Sequence, residues 1–179
     1  MTNQNHAVKN MVLSALLLAV AYVLPNFTGN IPQLGSMLLP MHLPTILCGF
    51  LCGAPWGAAV GFIAPLMRSA ILGMPPPFPA AVSMAFEMGT YGFVSGFLYK
   101  RLPKTMGGIY VALIAAMLCG RLAWGVVMSV LLVNSGGLTI AAFVASAFTN
   151  AIPGIILQMV VIPIIVMALQ KANLTPQVV

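Results

Sequence analysis

Three charged residues lie inside apolar stretches of the chain, and they are the first candidates for chemistry. Glu87, the one acidic residue in the sequence, lies within residues 80–99, and Arg68 and Arg121 lie in two other apolar stretches. A charge near the middle of a bilayer costs roughly 3 kcal/mol or more, so such residues usually serve a function. One carboxylate cannot neutralise two guanidinium groups. The sequence therefore predicts a polar site in which one arginine orients Glu87 and the other contacts a ligand.

Aromatic residues extend this candidate site. Tyr91 and Trp124 follow Glu87 and Arg121 by about one helical turn, so each ring is expected on the face of its charged neighbour. An aromatic wall beside a polar anchor suits a small heterocycle or a small acid. Each feature has an alternative interpretation. Glu87 and an arginine could form an ion pair that only joins two helices, and His42 could be structural. The rings of Tyr91 and Trp124 could face the lipid. The predicted substrate-binding residues are His42, Arg68, Glu87, Tyr91, Arg121, Trp124 and Asn150.

Composition places the chain among integral membrane proteins. It is 61% hydrophobic and 4% charged, whereas a soluble domain averages about 25% charged residues. We expect a single all-α membrane domain over residues 1–179, with no room for a soluble catalytic domain and no basic face for nucleic acid. Cys48 and Cys52 lack a histidine or carboxylate at zinc-ligand spacing, so neither a metal nor a cofactor is predicted.

Six apolar stretches approach the length of about 20 residues that crosses a bilayer. The second is short and bracketed by prolines, so it is expected to be tilted or partly non-helical. An even number of spans places both termini on the same side of the membrane. The predicted spans are Met11–Phe27, Leu39–Cys52, Trp56–Leu72, Pro79–Tyr99, Ile109–Val133 and Phe143–Leu169.

Basic residues indicate the orientation of these spans. Lysine and arginine accumulate in cytoplasmic segments, and five of them fall on one side if both termini are cytoplasmic. The polar intramembrane residues then share the outer half of the membrane, which predicts a pocket open to the outside. The five flanking residues are Lys9, Lys100, Arg101, Lys104 and Lys171.

Three outer loops follow from this topology: Thr28–Leu38, Gly73–Phe78 and Asn134–Ala142. They are rich in Gly, Pro, Asn and Ser. Glycine absorbs backbone rotation and proline stiffens the rest, so the loops are candidate lids over the pocket. Ordinary turn chemistry is the alternative for each loop.

Small residues at helical spacing indicate two close-packing surfaces. Ala15 and Ala19 are four residues apart in the first span, and a flat strip of this kind lets another helix approach closely. Glycines also recur every four residues from position 49 to position 61. We expect the glycines to serve packing within the protein.

These features together resemble the substrate-binding S components of energy-coupling factor (ECF) vitamin transporters. The likeness covers nearly the whole chain and includes the six spans and the Ala15–Ala19 strip. Met41–Pro44 and Gly73–Pro76 look most like the branch assigned to vitamin B6 or hydroxymethylpyrimidine. Four segments add to the family likeness by their order and spacing. They are Leu39–Pro44, Gly61–Ser69, Gly73–Pro76 and Met84–Gly92.

The resemblance implies a function in the bacterial plasma membrane. An S component binds a vitamin near the outer face, docks through its Ala15–Ala19 surface onto a transmembrane coupling subunit, and relies on two ATPase subunits for energy. This chain has no phosphate-binding loop motif of its own. Pantothenate is the competing substrate, because an unpaired arginine could hold its carboxylate. A stand-alone secondary transporter and a membrane enzyme are the alternatives from other classes.

Overall fold

The computed structural model describes residues 3–28, 37–133, 137 and 139–172, and it is helical almost throughout. Seven α-helices occur in this part of the chain. Short 3-10 and π-helical segments at Leu24–Thr28, Pro77–Ala81 and Ala145–Thr149 adjoin them. The helices are α1 (Asn3–Val23), α2 (His42–Cys52), α3 (Ala54–Leu72), α4 (Val82–Arg101), α5 (Met106–Leu131), α6 (Ile140–Val144) and α7 (Ile152–Lys171).

Four of these helical segments are long and apolar enough to cross a membrane. They begin or end within a few residues of the predicted first, third, fifth and sixth spans: His6–Phe27, Ala54–Leu72, Met106–Leu131 and Ile152–Lys171. The α2 helix has 11 residues and is too short to span. The α4 helix has the length but includes Glu87 and two basic residues in its last turn. The chain is therefore a multi-pass membrane protein, and the count of six spans stays a prediction.

The predicted sixth span, Phe143–Leu169, is not one continuous helix. The α6 helix and the π-helical turn end before Asn150, and α7 begins at Ile152 with Pro153 in its first turn. Proline lacks a backbone N–H and fits the first turn of a helix, where that donor would be unpaired. The predicted second span, Leu39–Cys52, is helical from His42 onward, and Leu39–Met41 precede the helix as a non-helical turn, in line with the expected partly non-helical character.

Glycines let the backbones of α2 and α3 pack directly against the backbone of α4, and we call this contact the glycine seam. A Cβ atom at Gly57 would lie 2.5 Å from the carbonyl oxygen of Gly92, and one at Gly61 would lie 2.2 Å from that of Met88. Gly49 packs equally closely on α4, at Ser95. The packing predicted for these glycines is confirmed. Gly53 differs, because it has a positive φ of 93° and forms the turn between α2 and α3.

The five flanking basic residues lie at one end of the bundle, which we call the basic end. Asn10, beside Lys9, donates to the carbonyl oxygen of Cys52 at 3.5 Å. The turn between α2 and α3, which follows Cys52, packs on α4 near Gly96. Gln170 of α7 donates to the Tyr99 hydroxyl. These contacts bring the start of α1 and the end of α7 to the end of the bundle at which α4 finishes. All five basic residues are exposed there.

Candidate functional site

Four of the predicted site residues form one buried cluster, which we call the polar cluster. It consists of His42 at the start of α2, Glu87 and Tyr91 in α4, and Arg121 in α5. Each is at most 6% exposed. Glu87 is 14 residues from the end of α4 and Arg121 is 15 from the start of α5, which places both about 20 Å from the basic end. The polar cluster thus lies in the half of the bundle away from the basic end.

Glu87 is the centre of the polar cluster. Its Oε1 atom accepts a hydrogen bond from Arg121 Nη1 at 2.7 Å and another from the Tyr91 hydroxyl at 3.2 Å. His42 Nε2 lies 3.7 Å from the same oxygen. An ion pair this deeply buried stabilises only if its geometry is good and its remaining polar atoms are satisfied. Here the pairing of Glu87 with Arg121 decides which arginine orients the carboxylate.

Local packing explains how these side chains are positioned. The four-residue spacing of Glu87 and Tyr91 places them on the same face of α4. The Tyr91 ring lies against Gly120, where a Cβ atom would be 2.7 Å from Cε1. Because position 120 lacks a side chain, the ring can lie beside Arg121. The edge of the His42 ring meets Tyr91, with centroids 5.2 Å apart and an interplanar angle of 67°.

The start of α2 is held by an unusual backbone conformation. Leu39 has a φ of 50°, in the left-handed region, which costs a residue with a side chain roughly 1–2 kcal/mol. The carbonyl oxygen of Leu39 then accepts from the His42 N–H at 3.0 Å. On the other side, Gly154 of α7 approaches Met37, where a Cβ atom would lie 2.6 Å from its carbonyl oxygen. The surrounding chain therefore fixes His42 at the buried start of its helix.

The other three predicted residues contact different parts of the molecule. Arg68 is buried and donates to the Tyr22 carbonyl oxygen at 2.6 Å and to Asn26 Oδ1 at 3.1 Å, so it binds the end of α1. Trp124 stacks on Phe143 at 6.1 Å between ring centroids. Asn150 is exposed in the turn before α7. Their predicted role in substrate binding stays a prediction, as does that of the polar cluster.

Several buried side-chain nitrogen atoms lack hydrogen-bond partners. Among the described residues, Arg121 Nε and Nη2 and both ring nitrogens of His42 make no hydrogen bond. The same is true of Nε2 of Gln158, a residue of α7 that is 1% exposed. Sequence reasoning missed Gln158, although an amide inside an apolar span is a signal of the same kind as Asn150. Buried polar groups without partners are uncommon and call for an explanation.

Two of the three predicted lids fall partly beyond the described part of the chain. Residues 29–36 of the first loop, and 134–136 and 138 of the third, are outside it. The second loop begins at Gly73, which has a φ of 69° and donates its N–H to the Ser69 carbonyl oxygen, ending α3. A glycine is required at that position because the left-handed conformation disfavours a side chain.

The polar cluster combines a paired carboxylate with unpaired buried donor atoms. Glu87 is paired with a guanidinium group, and the described residues include no group of three or more histidine, cysteine or acidic side chains that could hold a metal. The cluster is thus a buried polar site within a multi-pass helical bundle.

The family follows from comparison with known proteins. A model of the family "ECF transporter, substrate-specific component" matches residues 9–166. The chain therefore belongs to the substrate-specific S components of ECF transporters, which are non-enzymatic binding subunits that operate with partner subunits. Searches of curated proteins and of solved structures give no significant match.

Proposed function

We propose that this S component binds vitamin B6 or hydroxymethylpyrimidine at the polar cluster and passes it to its ECF partners. The observation that carries the proposal is the convergence of four buried side chains from three helices, with donor atoms left unpaired. The likeness of Met41–Pro44 and Gly73–Pro76 to the B6 or hydroxymethylpyrimidine branch supports the choice of substrate. The first of these segments contributes His42 to the polar cluster.

Pantothenate is the second candidate substrate. The observation in its favour is that Arg121 uses only one nitrogen, Nη1, to bind Glu87. Arginine can bind a carboxylate through two parallel hydrogen bonds, and pantothenate has one carboxylate.

Isothermal titration of the purified chain, stripped of ligand, tests the choice among substrates. The panel contains pyridoxine, pyridoxal, pyridoxamine, hydroxymethylpyrimidine, pantothenate, riboflavin, thiamine, folate, niacin and biotin. One-to-one binding of a B6 vitamer or of hydroxymethylpyrimidine is the expected result. Binding of pantothenate alone would select the second candidate, and binding of no compound would contradict the proposed site.

The orientation we propose places the basic end in the cytoplasm. The exposed lysines and arginines of that end fit the excess of basic residues on cytoplasmic segments. Six crossings with both termini inside then place the polar cluster toward the outer face. A cysteine-accessibility assay supports this orientation if a cysteine at exposed Lys104 reacts only with a reagent that reaches the cytoplasm.

We propose that α1 is the surface that docks on the coupling subunit. Ala15 and Ala19 are exposed, and so are larger apolar residues on the same helix, with Val12 at 61% and Leu16 at 59% exposure. Two alanines four apart leave a flat strip for a partner helix, and a bulky side chain would fill it.

Substitution of Ala15 by Trp tests this surface. We expect Ala15→Trp to keep ligand affinity and to abolish uptake in membranes that contain the coupling and ATPase subunits. Val126→Trp, on an α5 position that is 65% exposed, is the matched control and should transport normally. Normal uptake by Ala15→Trp would place the docking surface elsewhere.

A further inference from the structure

One of the three guanidinium nitrogens of Arg121 makes a hydrogen bond within the polar cluster. Nη1 donates to Glu87 Oε1 at 2.7 Å, while Nε and Nη2 have no hydrogen-bond partner among the described residues. Arg121 is 6% exposed, so water does not readily replace a partner at these atoms. A buried donor without a partner costs about 1–3 kcal/mol, and a charged one costs more.

The two unpaired nitrogens form a recognition edge. Nε and Nη2 lie side by side on the guanidinium plane and donate in parallel, which matches two adjacent acceptor atoms. The third nitrogen is held by Glu87, so the plane of the group is fixed with this edge pointing away from the carboxylate. Glu87 thus orients the edge without occupying it.

His42 contributes further unpaired atoms to the polar cluster. Neither of its ring nitrogens has a hydrogen-bond partner in the described part of the chain. One carboxylate oxygen of Glu87, Oε1, accepts from both Arg121 and Tyr91. With its charge compensated by the guanidinium group, Glu87 offers little attraction to a cation.

We infer, building on the proposed function, that the ligand presents two adjacent hydrogen-bond acceptors to the Nε–Nη2 edge of Arg121. A carboxylate meets this requirement, and so does a heteroaromatic ring with neighbouring nitrogen or oxygen acceptors. Glu87 is a positioning residue that fixes the edge. The polar cluster selects neutral or anionic ligands and rejects a permanently cationic one.

The substitution Arg121→Lys tests the role of this edge. Lysine keeps the positive charge for Glu87 but lacks the two parallel donors. In titrations with pyridoxine, hydroxymethylpyrimidine and pantothenate, the compound that binds the wild type should bind Arg121→Lys at least roughly tenfold more weakly, as expected for lost hydrogen bonds to a charged group. Arg101→Lys, at an exposed arginine over the Phe97 ring, is the matched control and should change affinity less than about twofold.

A spectroscopic readout on the wild type does not depend on the folding of the variant. The chain has three arginines, so the side-chain Nε–H signals in a ¹⁵N-labelled sample are few, and Arg101→Lys and Arg68→Lys identify two of them, which assigns the third to Arg121. We expect the Arg121 signal to move when the bound compound is added. Pantothenol, in which an alcohol replaces the carboxylate of pantothenate, separates the two acceptor types: loss of binding identifies a carboxylate, and retained binding excludes it.

Thiamine, a permanent cation, provides the opposing probe. Thiamine binding in preference to the acceptor-bearing compounds would overturn the inference and leave the proposed binding function standing. A compound that binds Arg121→Lys with full affinity, and does not shift the Arg121 Nε–H signal of the wild type, would also overturn the inference and leave the proposed binding function standing. Binding of no probe of either charge class would overturn the inference and the proposed function together.

Discussion

The two faces of α4 are built in opposite ways. The face toward α3 meets its neighbour through Gly92, where a Cβ atom would lie 2.1 Å from the Gly57 carbonyl oxygen. The face toward α5 presents Glu87 and Tyr91 to Arg121. One face is packed to the limit that backbone atoms allow, and the other leaves buried donors unpaired.

The difference indicates how this helix supports binding. Close backbone contact fixes the axis of α4 against α2 and α3, because small residues allow extensive van der Waals packing where a bilayer supplies no hydrophobic driving force. A fixed helix holds Glu87 and Tyr91 in place, and a site held on rigid elements is more precise than one on loops. The seam is thus where stability should be concentrated, and the polar cluster where binding should be.

The largest loss of stability is expected from a side chain in the seam. Gly92→Leu places a Cβ atom at 2.1 Å from the Gly57 carbonyl oxygen, so the helix axes must separate. Overpacking costs about 1–3 kcal/mol where neighbouring side chains can adjust, and a loss larger than that of any variant below is expected here because the obstructing atom belongs to the backbone. The variant should lose its folded, monodisperse fraction in detergent at a much lower temperature than the wild type, measured by size-exclusion chromatography after heating.

Gly89→Ala is the matched control on the same helix. Its Cβ atom would lie 3.6 Å from the Ala58 carbonyl oxygen, an ordinary van der Waals distance. Alanine also has the higher helix propensity, by about 1 kcal/mol. We expect this variant to be as stable as the wild type or slightly more so. Equal losses in both variants would show that the seam is not the source of stability.

Removal of the carboxylate should have the next largest effect. Glu87→Gln leaves the Arg121 guanidinium group buried without its counter-ion, and breaking a buried pair in this way costs about 3–5 kcal/mol. The protein should stay folded, with a lower melting temperature and at least roughly tenfold weaker ligand binding. Thermal unfolding and titration of the same preparation measure both.

The double variant Glu87→Gln with Arg121→Gln distinguishes pairing from binding. Neutral side chains at both positions remove the uncompensated charge, so stability should recover in part. Ligand binding should not recover, because the guanidinium edge is gone. A double variant as unstable as Glu87→Gln would mean that the loss in the single variant does not come from the isolated charge.

Much of this architecture was predictable from residue type and spacing. The apolar stretches predicted the long helices, and the four-residue intervals predicted both the glycine seam and the shared face of Glu87 and Tyr91. Spacing could not reveal which arginine pairs with Glu87, because that depends on the contact between α4 and α5. It also missed Gln158, whose burial depends on neighbouring helices and not on its own span.

The placement of Arg68 shows the same limit. An intramembrane cation indicated a ligand contact, which stays a prediction, and in the structure its guanidinium group donates to Tyr22 and Asn26 at the end of α1. Carbonyl groups at the C-terminal end of a helix carry partial negative charge and attract cations. The sequence contains no local signal for this arrangement, because positions 22 and 68 become neighbours only through tertiary packing.

The smallest effect is expected at the Tyr91 hydroxyl, on the face of α4 toward α5. Tyr91→Phe removes the 3.2 Å hydrogen bond to Glu87 Oε1 but keeps the ring against Gly120 and His42. A hydrogen bond to a charged group is worth about 1.5–3 kcal/mol at most, and Glu87 retains its stronger bond to Arg121. We expect a decrease in affinity of roughly three- to tenfold with little change in melting temperature.

Tyr110→Phe, on a half-buried tyrosine of α5, should leave affinity unchanged. A loss of stability as large as that of Glu87→Gln would instead make Tyr91 part of the structural frame, and the division between the two faces of α4 would not hold.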